Sequence, residues 1–469
     1  MEVGNGFAYL MLVIWPVVAW QFYRHMPPAQ ALLWTILGGY MALPPVVAIN
    51  FPMVPDFDKF SVANLSALLA VLFLLKERFN FWPKNLLFQI LMVLYVAGPF
   101  VTVLTNSEAL YFQAKSVPGL RFYDSFAAVT TQLIFLLPYF MARKYLSSPE
   151  GMEKILYVLV IAGFIYSIPM LFEVRFSPQL NVMIYGFFQH DFSQAIRFGG
   201  FRPFVFMPHG LWVAFFAFMC LMAATWRLRS AAFNQRTVRL ITFAAMAGIL
   251  FICKSAGSMI YGILLVPVVL ILPLRAQMMV ATAAVCIVVT YPMLRGLDLV
   301  PVDAIVKQAY AFDAERGASL EFRVMNETLL LERAQEKSLF GWGGYGRNFL
   351  HDLQTGEISL IADGGWILTL GVYGWVGYVS EFGLLAIPVL LFWRETRKLD
   401  PKKISGAAVT VALILAANMV DLLPNDTLIP FTWLLSGALW GHAEALARQR
   451  KHALESDFQD RFRQGRTIL

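Results

Sequence analysis

The stretch AGSMIYGILLVPVVLILPLRAQMMVATAAVCIVVTYPML, residues 256–294, carries a single charged side chain, Arg275. A helix of about 20 mostly apolar residues crosses a bilayer core. Two such lengths fit here, 256–274 and 277–294, with Arg275 in the turn between them. The whole chain is built in the same way. Of its 469 residues 58% are hydrophobic, 15% aromatic and only 14% charged, and the mean hydropathy is +0.62. Soluble domains run at about 45–50% apolar and about 25% charged. A disordered chain, a basic nucleic-acid-binding domain and a conventional soluble enzyme are excluded. The expected fold is all-α: a polytopic transmembrane bundle of about 12–13 spans.

Working outward, the candidate spans are 6–23, 30–49, 60–75, 85–105, 122–142, 154–172, 204–226, 237–254, 256–274, 277–294, 364–393, 404–422 and 427–443. The break at Lys254-Ser255-Ala256-Gly257-Ser258 reads either as a tight turn between two spans or as a re-entrant piece. The net charge of +7 is topological. One set of alternate loops holds Arg24; Lys76, Arg78 and Lys84; Arg143, Lys144 and Lys154; four arginines over 227–239; Arg275; and five basic residues over 394–403. The tail 444–469 adds Arg448, Arg450, Lys451, Arg461, Arg463 and Arg466. The short loops of the other set hold only Lys59, Lys115, Arg121 and Lys254. The positive-inside rule places the tail in the cytoplasm and the N-terminus outside. MEVGNG lacks a basic n-region and a cleavage site, so the first apolar run is expected to stay as a helix. Cys220, Cys253 and Cys286 sit in apolar runs without metal or disulfide spacing.

The chain therefore divides into an N-terminal bundle (1–294) with an external loop at 173–203, a large external loop at 295–363, C-terminal spans at 364–443 and a basic tail. In the first loop Arg197 and Arg202 are suited to bidentate phosphate binding. The alternative is pairing with Glu173 or Asp191, or snorkelling. His209 follows at the head of a span. In the second loop 303–314 has Ile305, Ala309 and Phe312 at helical spacing. A further helix is expected over 320–338, with Ser319 as its N-cap, Leu320, Val324, Leu331 and Ala334 buried, and Gly341 as its stop. Arg323 is either a substrate contact or half of an i,i+4 pair with Glu327. Gly341-Trp342-Gly343-Gly344-Tyr345-Gly346 matches GxGxxG, but without a βαβ context it does not read as a dinucleotide fingerprint. Its amides, with Arg347 beside them, could cradle an anion or simply form a turn. Asp363, at the mouth of the next span, reads as a proton acceptor or a solvated acid, and His351 is a second candidate. Lys254 at membrane depth needs a partner or a job, unless it snorkels to the surface. No metal or cofactor motif is visible.

Four segments, in this order, resemble the bacterial O-antigen ligase and polysaccharide polymerase superfamily. They are Arg197-Phe198-Gly199-Gly200 with Pro208; Lys254-Ser255-Ala256-Gly257; Arg323 through Ser338-Leu339-Phe340-Gly341-Trp342-Gly343; and Asp363-Gly364-Gly365-Trp366-Ile367-Leu368 through Gly377. The resemblance covers about residues 195–380 and implies a GT-C-like inner-membrane glycosyltransferase with its active face in the periplasm. It implies an undecaprenyl-diphosphate-linked oligosaccharide as donor, a glycan acceptor and metal-independent inverting transfer. Membrane lipids, a flippase and chain-length or export proteins would be its partners, with no nucleic acid and no cofactor. Asp363, Arg323 and His351 would then be catalytic, while Arg197, Arg202, His209, Lys254 and Arg347 would hold diphosphate or glycan. Asp363 stands where ligases of this family tend to carry His, Gly364 replaces the usual Asn, and Ser338 the usual Pro. The Asp variant resembles the polymerases more than the ligases, so the expectation is a polymerase of exopolysaccharide, capsule or O-antigen. The alternatives are an O-antigen ligase, a glycan or lipid transporter, and a non-catalytic export subunit.

Overall fold

A computed structural model describes residues 4–50, 55–78, 82–83, 85–197 and 199–465. Phe198, Lys84 and Arg466 lie outside the described residues, as do the side chains of Phe312, Arg461 and Arg463. The described residues fold as a bundle of sixteen α-helices: α1 (Gly6–His25), α2 (Pro28–Ala42), α3 (Lys59–Leu69), α4 (Leu86–Leu104), α5 (Phe122–Tyr145), α6 (Pro149–Phe176), α7 (Leu180–Tyr185) and α8 (Gly210–Arg229). There follow α9 (Arg236–Ile252), α10 (Ala256–Ile271), α11 (Leu274–Gly296), α12 (Val302–Phe312), α13 (Ala314–Gln335), α14 (Gly365–Thr396), α15 (Gly406–Asp421) and α16 (Pro430–Gly465). Among the described residues sheet is confined to two small antiparallel hairpins, β1 (Leu110–Tyr111) with β2 (Ser116–Val117) and β3 (Ile196–Arg197) with β4 (Gly200–Phe201). Side-chain caps set several starts: Asn5 on α1, Asp58 on α3, Ser148 on α6 and Ser405 on α15 each accept from backbone N–H groups of the first turn.

Each of the thirteen expected spans finds a helix. Eight are long and apolar enough to cross a membrane on their own; α3 with the π turn that extends it, α10 and α15 are shorter apolar helices. The protein is a multi-pass, all-α membrane protein. The break at Lys254 resolves as a turn between the separate helices α9 and α10, with Lys254 itself at φ +50°. Hydrogen bonds tie the two sets of loops into opposite ends of the bundle. At one end Arg143 pairs with Glu444 at 2.9 Å, Lys144 pairs with Glu77, and Arg450 reaches Glu395 at 2.9 Å. At the other, Asn5 donates to Ile184 O, Asn106 to Gly341 O, Tyr345 to Asp124 and Lys254 to Arg197 O. The basic loops thus share one end and the long loops the other.

The core centres on α5, α14 and α16, where Trp366, Trp433, Trp440 and Tyr139 are fully buried. Helix α16 meets α5 at backbone distance: a Cβ on Gly437 would stand 2.0 Å from Tyr139 O. Small residues allow such an approach where lipid supplies no hydrophobic drive between helices.

Three expectations need correction. The external helix α13 begins at Ala314, so Ser319 is inside it and caps nothing; Leu331 and Ala334 are buried, while Leu320 and Val324 are half-buried. The span expected from 204 starts at Gly210, because Glu173 pulls the preceding segment into a loop by accepting from the backbone N–H of Leu180, Phe204 and Val205 at 3.1, 2.8 and 2.7 Å. The span at 364–393 is broken at Gly374 (φ 65°, ψ −165°), a conformation essentially restricted to glycine. Segment 338–343 fills that break. Trp342 and Gly343 donate to Gly371 O and Val372 O at 2.9 Å, and Trp375 and Val376 donate back to Ser338 O and Leu339 O at 2.8 and 3.1 Å. Backbone groups freed inside a span must be satisfied by protein, and here the glycine-rich turn does it.

Candidate functional site

The loop before α8 builds a cationic pocket. Arg202 is 3% exposed, and its Nε and Nη2 have no hydrogen-bond partner among the described residues. The guanidinium fits because Gly210 has no side chain; a Cβ there would lie 2.3 Å from Arg202 Nε. That places the cation against the N-terminus of α8, the positive end of a helix dipole. Burial, then the charge of Arg197, pulls its pKa down to about 10. Neither acid that was a candidate partner reaches it. Glu173 is spent on backbone amides, and Asp191 accepts from Ser193 N at 2.9 Å.

His209 caps α8, its Nδ1 accepting from Leu211 N at 3.1 Å, which leaves the proton on Nε2 and that edge free to donate. Its ring lies 5.1 Å from Phe204 and 4.6 Å from His190. Burial first, then the charges of Arg202, His190, Arg197 and Arg323, push its pKa down to about 3. Arg197 is exposed and bonds Gln194 Oε1 at 2.6 Å. Lys254 bends back from the α9–α10 turn and donates to Arg197 O at 3.1 Å, fastening that turn to the β3–β4 hairpin. Lys254 therefore has its partner.

Beside this region lies a cavity of about 250 Å³ between α13 and the start of α14, lined by Arg323, Glu327, Asp363 and Tyr291 among apolar side chains. Arg323 pairs with Asp363, Nε to Oδ2, at 3.1 Å, and both side chains remain nearly half exposed. The local pair with Glu327 does not form. Glu327 Oε1 instead accepts from Arg295 Nε at 3.2 Å and from Tyr291 Oη at 3.1 Å. Arg295, 5% exposed, also donates to Thr328 Oγ1 at 2.7 Å. Burial raises the pKa of Glu327, against the lowering effect of its bonds from Tyr291 and Arg295. Sequence reasoning missed Glu327 as a second carboxylate of this cavity. The available signal was Arg295, a cation closing an apolar span.

The structure brings Arg197, Arg202, His209, Lys254, Arg323 and Asp363 to one end of the bundle, where Pro208 and Trp212, flanking His209, line one cavity with Gly365 and Leu368, just beyond Asp363. Arg347 and His351 are not brought there. Arg347 is 1% exposed and donates to Trp342 O and Pro118 O at 3.3 and 2.9 Å, binding the glycine turn to the β2–α5 connection. The nitrogens of His351 face Gly356 O and Gly346 O at 3.1 and 3.0 Å, and its ring stacks on Phe112. Both hold their own loop together. The turn amides of Trp342 and Gly343 are likewise committed to α14 and cradle no anion. Among the described residues no three His, Cys, Asp or Glu side chains stand close enough to hold a metal ion.

Chemically, the arrangement offers a buried unpaired guanidinium, an imidazole Nε2–H and two further cations to an anion, with a half-exposed carboxylate alongside. No family model matches the chain, and no curated protein matches it.

Proposed function

We propose that the protein is a membrane glycosyltransferase that takes its glycan from undecaprenyl diphosphate, most specifically a polysaccharide polymerase joining repeat units at the periplasmic face of the inner membrane. The observation that carries this reading is Arg202. A buried guanidinium without a counterion is costly unless a ligand completes it, and the other groups around it favour an anion as well. A diphosphate supplies that charge, and its lipid tail suits a protein whose walls face the bilayer.

In the proposed reaction an acceptor hydroxyl attacks the anomeric carbon, and the bond from that carbon to the diphosphate oxygen breaks with its electron pair leaving on the diphosphate. Inversion follows from displacement at one centre. Arg202, Arg197 and His209 Nε2–H stabilise the departing charge, which is worth most in a water-poor site. Asp363 receives the proton of the hydroxyl, a role worth about 10²–10⁴-fold, and Arg323 holds that carboxylate in place. A ligase would use the same chemistry with a different acceptor.

The test is to delete the gene in its host, restore it as wild type, Arg202→Ala or Asp363→Asn, and size the glycans on the lipid carrier. A polymerase predicts carrier bearing single repeats in the deletion and in both variants. Long polymer stranded on the carrier would replace polymerase by ligase. Normal polymer from both variants would overturn the catalytic reading.

A further inference from the structure

A second, larger cavity of about 500 Å³ lies across the first turns of α14 from the Arg323–Asp363 pocket. Gly364 and Ile367 line the one, Gly365, Leu368 and Thr369 the other. It reaches Tyr95, nine residues before the end of α4, about 13 Å down at 1.5 Å per residue. Two acids face it, Glu381 and Asp426, and among the described residues no Arg, Lys or His lines it. Glu381 accepts one bond, from Thr369 Oγ1 at 2.9 Å, and neither acid has a cationic partner among the described residues. Trp212, Tyr373 and Trp433 supply aromatic surface. Two lining groups are buried without a partner: Gln132 Oε1, on a side chain 8% exposed, and Trp433 Nε1.

We infer that this cavity binds a neutral or amino sugar of the acceptor glycan. Sugars present apolar ring faces and a girdle of hydroxyls. Indole and phenol rings meet the first, while carboxyl groups and an amide oxygen accept from the second. The unpartnered Gln132 Oε1 accepts one hydroxyl, and Trp433 Nε1–H donates to a sugar oxygen. With two acidic groups and no cation in its lining, the cavity offers phosphate and uronic acids no charge partner, so the selection by charge is opposite to that at Arg202. Its lining on α14 begins at Gly365, two residues from Asp363, so an acceptor glycan seated here has its growing end within reach of that base once it extends past the first turn of α14. Assignment to the acceptor rests on the glycosyl-transfer reading; assignment to a sugar rests on the cavity.

The probes are oligosaccharides freed by mild acid from the lipid-linked pool of the host, with glucuronic acid and inorganic pyrophosphate as comparisons. Saccharide binding to the full chain in nanodiscs is read by saturation-transfer NMR, and pyrophosphate binding by 31P line broadening. Ring protons of the oligosaccharide are expected to receive saturation from the wild type, at least fivefold less from Glu381→Gln and from Asp426→Asn, and equally from Arg202→Ala. Glucuronic acid is expected to give none. The near-isosteric acid-to-amide variants keep the fold testable, and pyrophosphate binding to each reports that the adjacent site is intact. Saccharide contact that both variants retain, its absence in the wild type, or equal contact by glucuronic acid overturns the inference. If pyrophosphate binding dependent on Arg202 persists meanwhile, the transferase reading stands without it; loss of both removes the two together.

Discussion

Replacing Arg202 by methionine removes a charge that the folded protein holds at a cost. The fall in its pKa from the ordinary 12.5 to about 10, at about 1.4 kcal/mol per tenfold change in proton affinity, corresponds to about 3 kcal/mol. A base whose pKa is depressed by folding carries this penalty in full at every pH below about 10, hence throughout the working range. Methionine keeps an apolar stem of similar reach against Phe204 and Gly210, so little packing is lost. Arg202→Met is therefore expected to melt higher than wild type by the equivalent of about 1–3 kcal/mol in detergent, a few degrees, and to lose turnover. Adding inorganic pyrophosphate should raise the melting temperature of wild type, by about 2.7 kcal/mol at a hundred times the Kd, and leave Arg202→Met unmoved. Function bought with stability has this signature. A variant that melts lower than wild type, or that pyrophosphate still stabilises in full, refutes the reasoning.

The two carboxylates of the neighbouring cavity should respond in opposite ways. Asp363→Asn breaks a half-exposed pair worth about 0–1 kcal/mol, so polymer output should fall about 100-fold or more while the melting temperature barely moves. Glu327→Ala strands the buried Arg295 and should cost about 3–5 kcal/mol, visible as a lower melting temperature and yield. Gly374→Ala puts a Cβ 2.4 Å from Leu339 C and O at φ 65° and should cost about 3 kcal/mol or more; limited proteolysis should then cut within 336–345, and an uncut variant would mean the break tolerates a side chain. His209, with its pKa pushed down to about 3 from about 6.5 when unfolded, contributes stability that is present above pH 6.5 and lost as the pH falls from there towards 3. At pH 5 the loss is at most about 2 kcal/mol, read as a drop in melting temperature between pH 7.5 and 5 that His209→Gln should flatten.

Much of this was legible in the chain. Apolar runs long enough to span a bilayer admit few folds, since every backbone polar group in lipid must be bonded within its own helix or its neighbours. Alternating basic loops then sort the connections into two ends, and the structure groups them so. Arg202, Arg197, His209, Lys254, Arg323 and Asp363 could be picked out because charged and polar groups at the ends of apolar helices are few. Their pairing could not. Arg323 had Glu327 one helical turn away and Asp363 forty residues away, and local spacing favours the nearer acid until Arg295, from α11, claims it. Arg347 and His351 have the composition of site residues, yet their partners are carbonyls of their own loop and of the β2–α5 connection, which motif reading does not see.

Composition and hydropathic period determined that the protein crosses the membrane many times, which loops share an end, and which few polar residues stand apart from the lipid. Those are properties of single segments meeting a solvent. Which acid meets which arginine, that the glycine turn completes a broken helix, and that Glu381 and Asp426, from separate elements, line one cavity were decided by tertiary structure alone. Contacts of that kind depend on how side chains from distant segments compete for the same partner, and the segments taken singly do not carry that information.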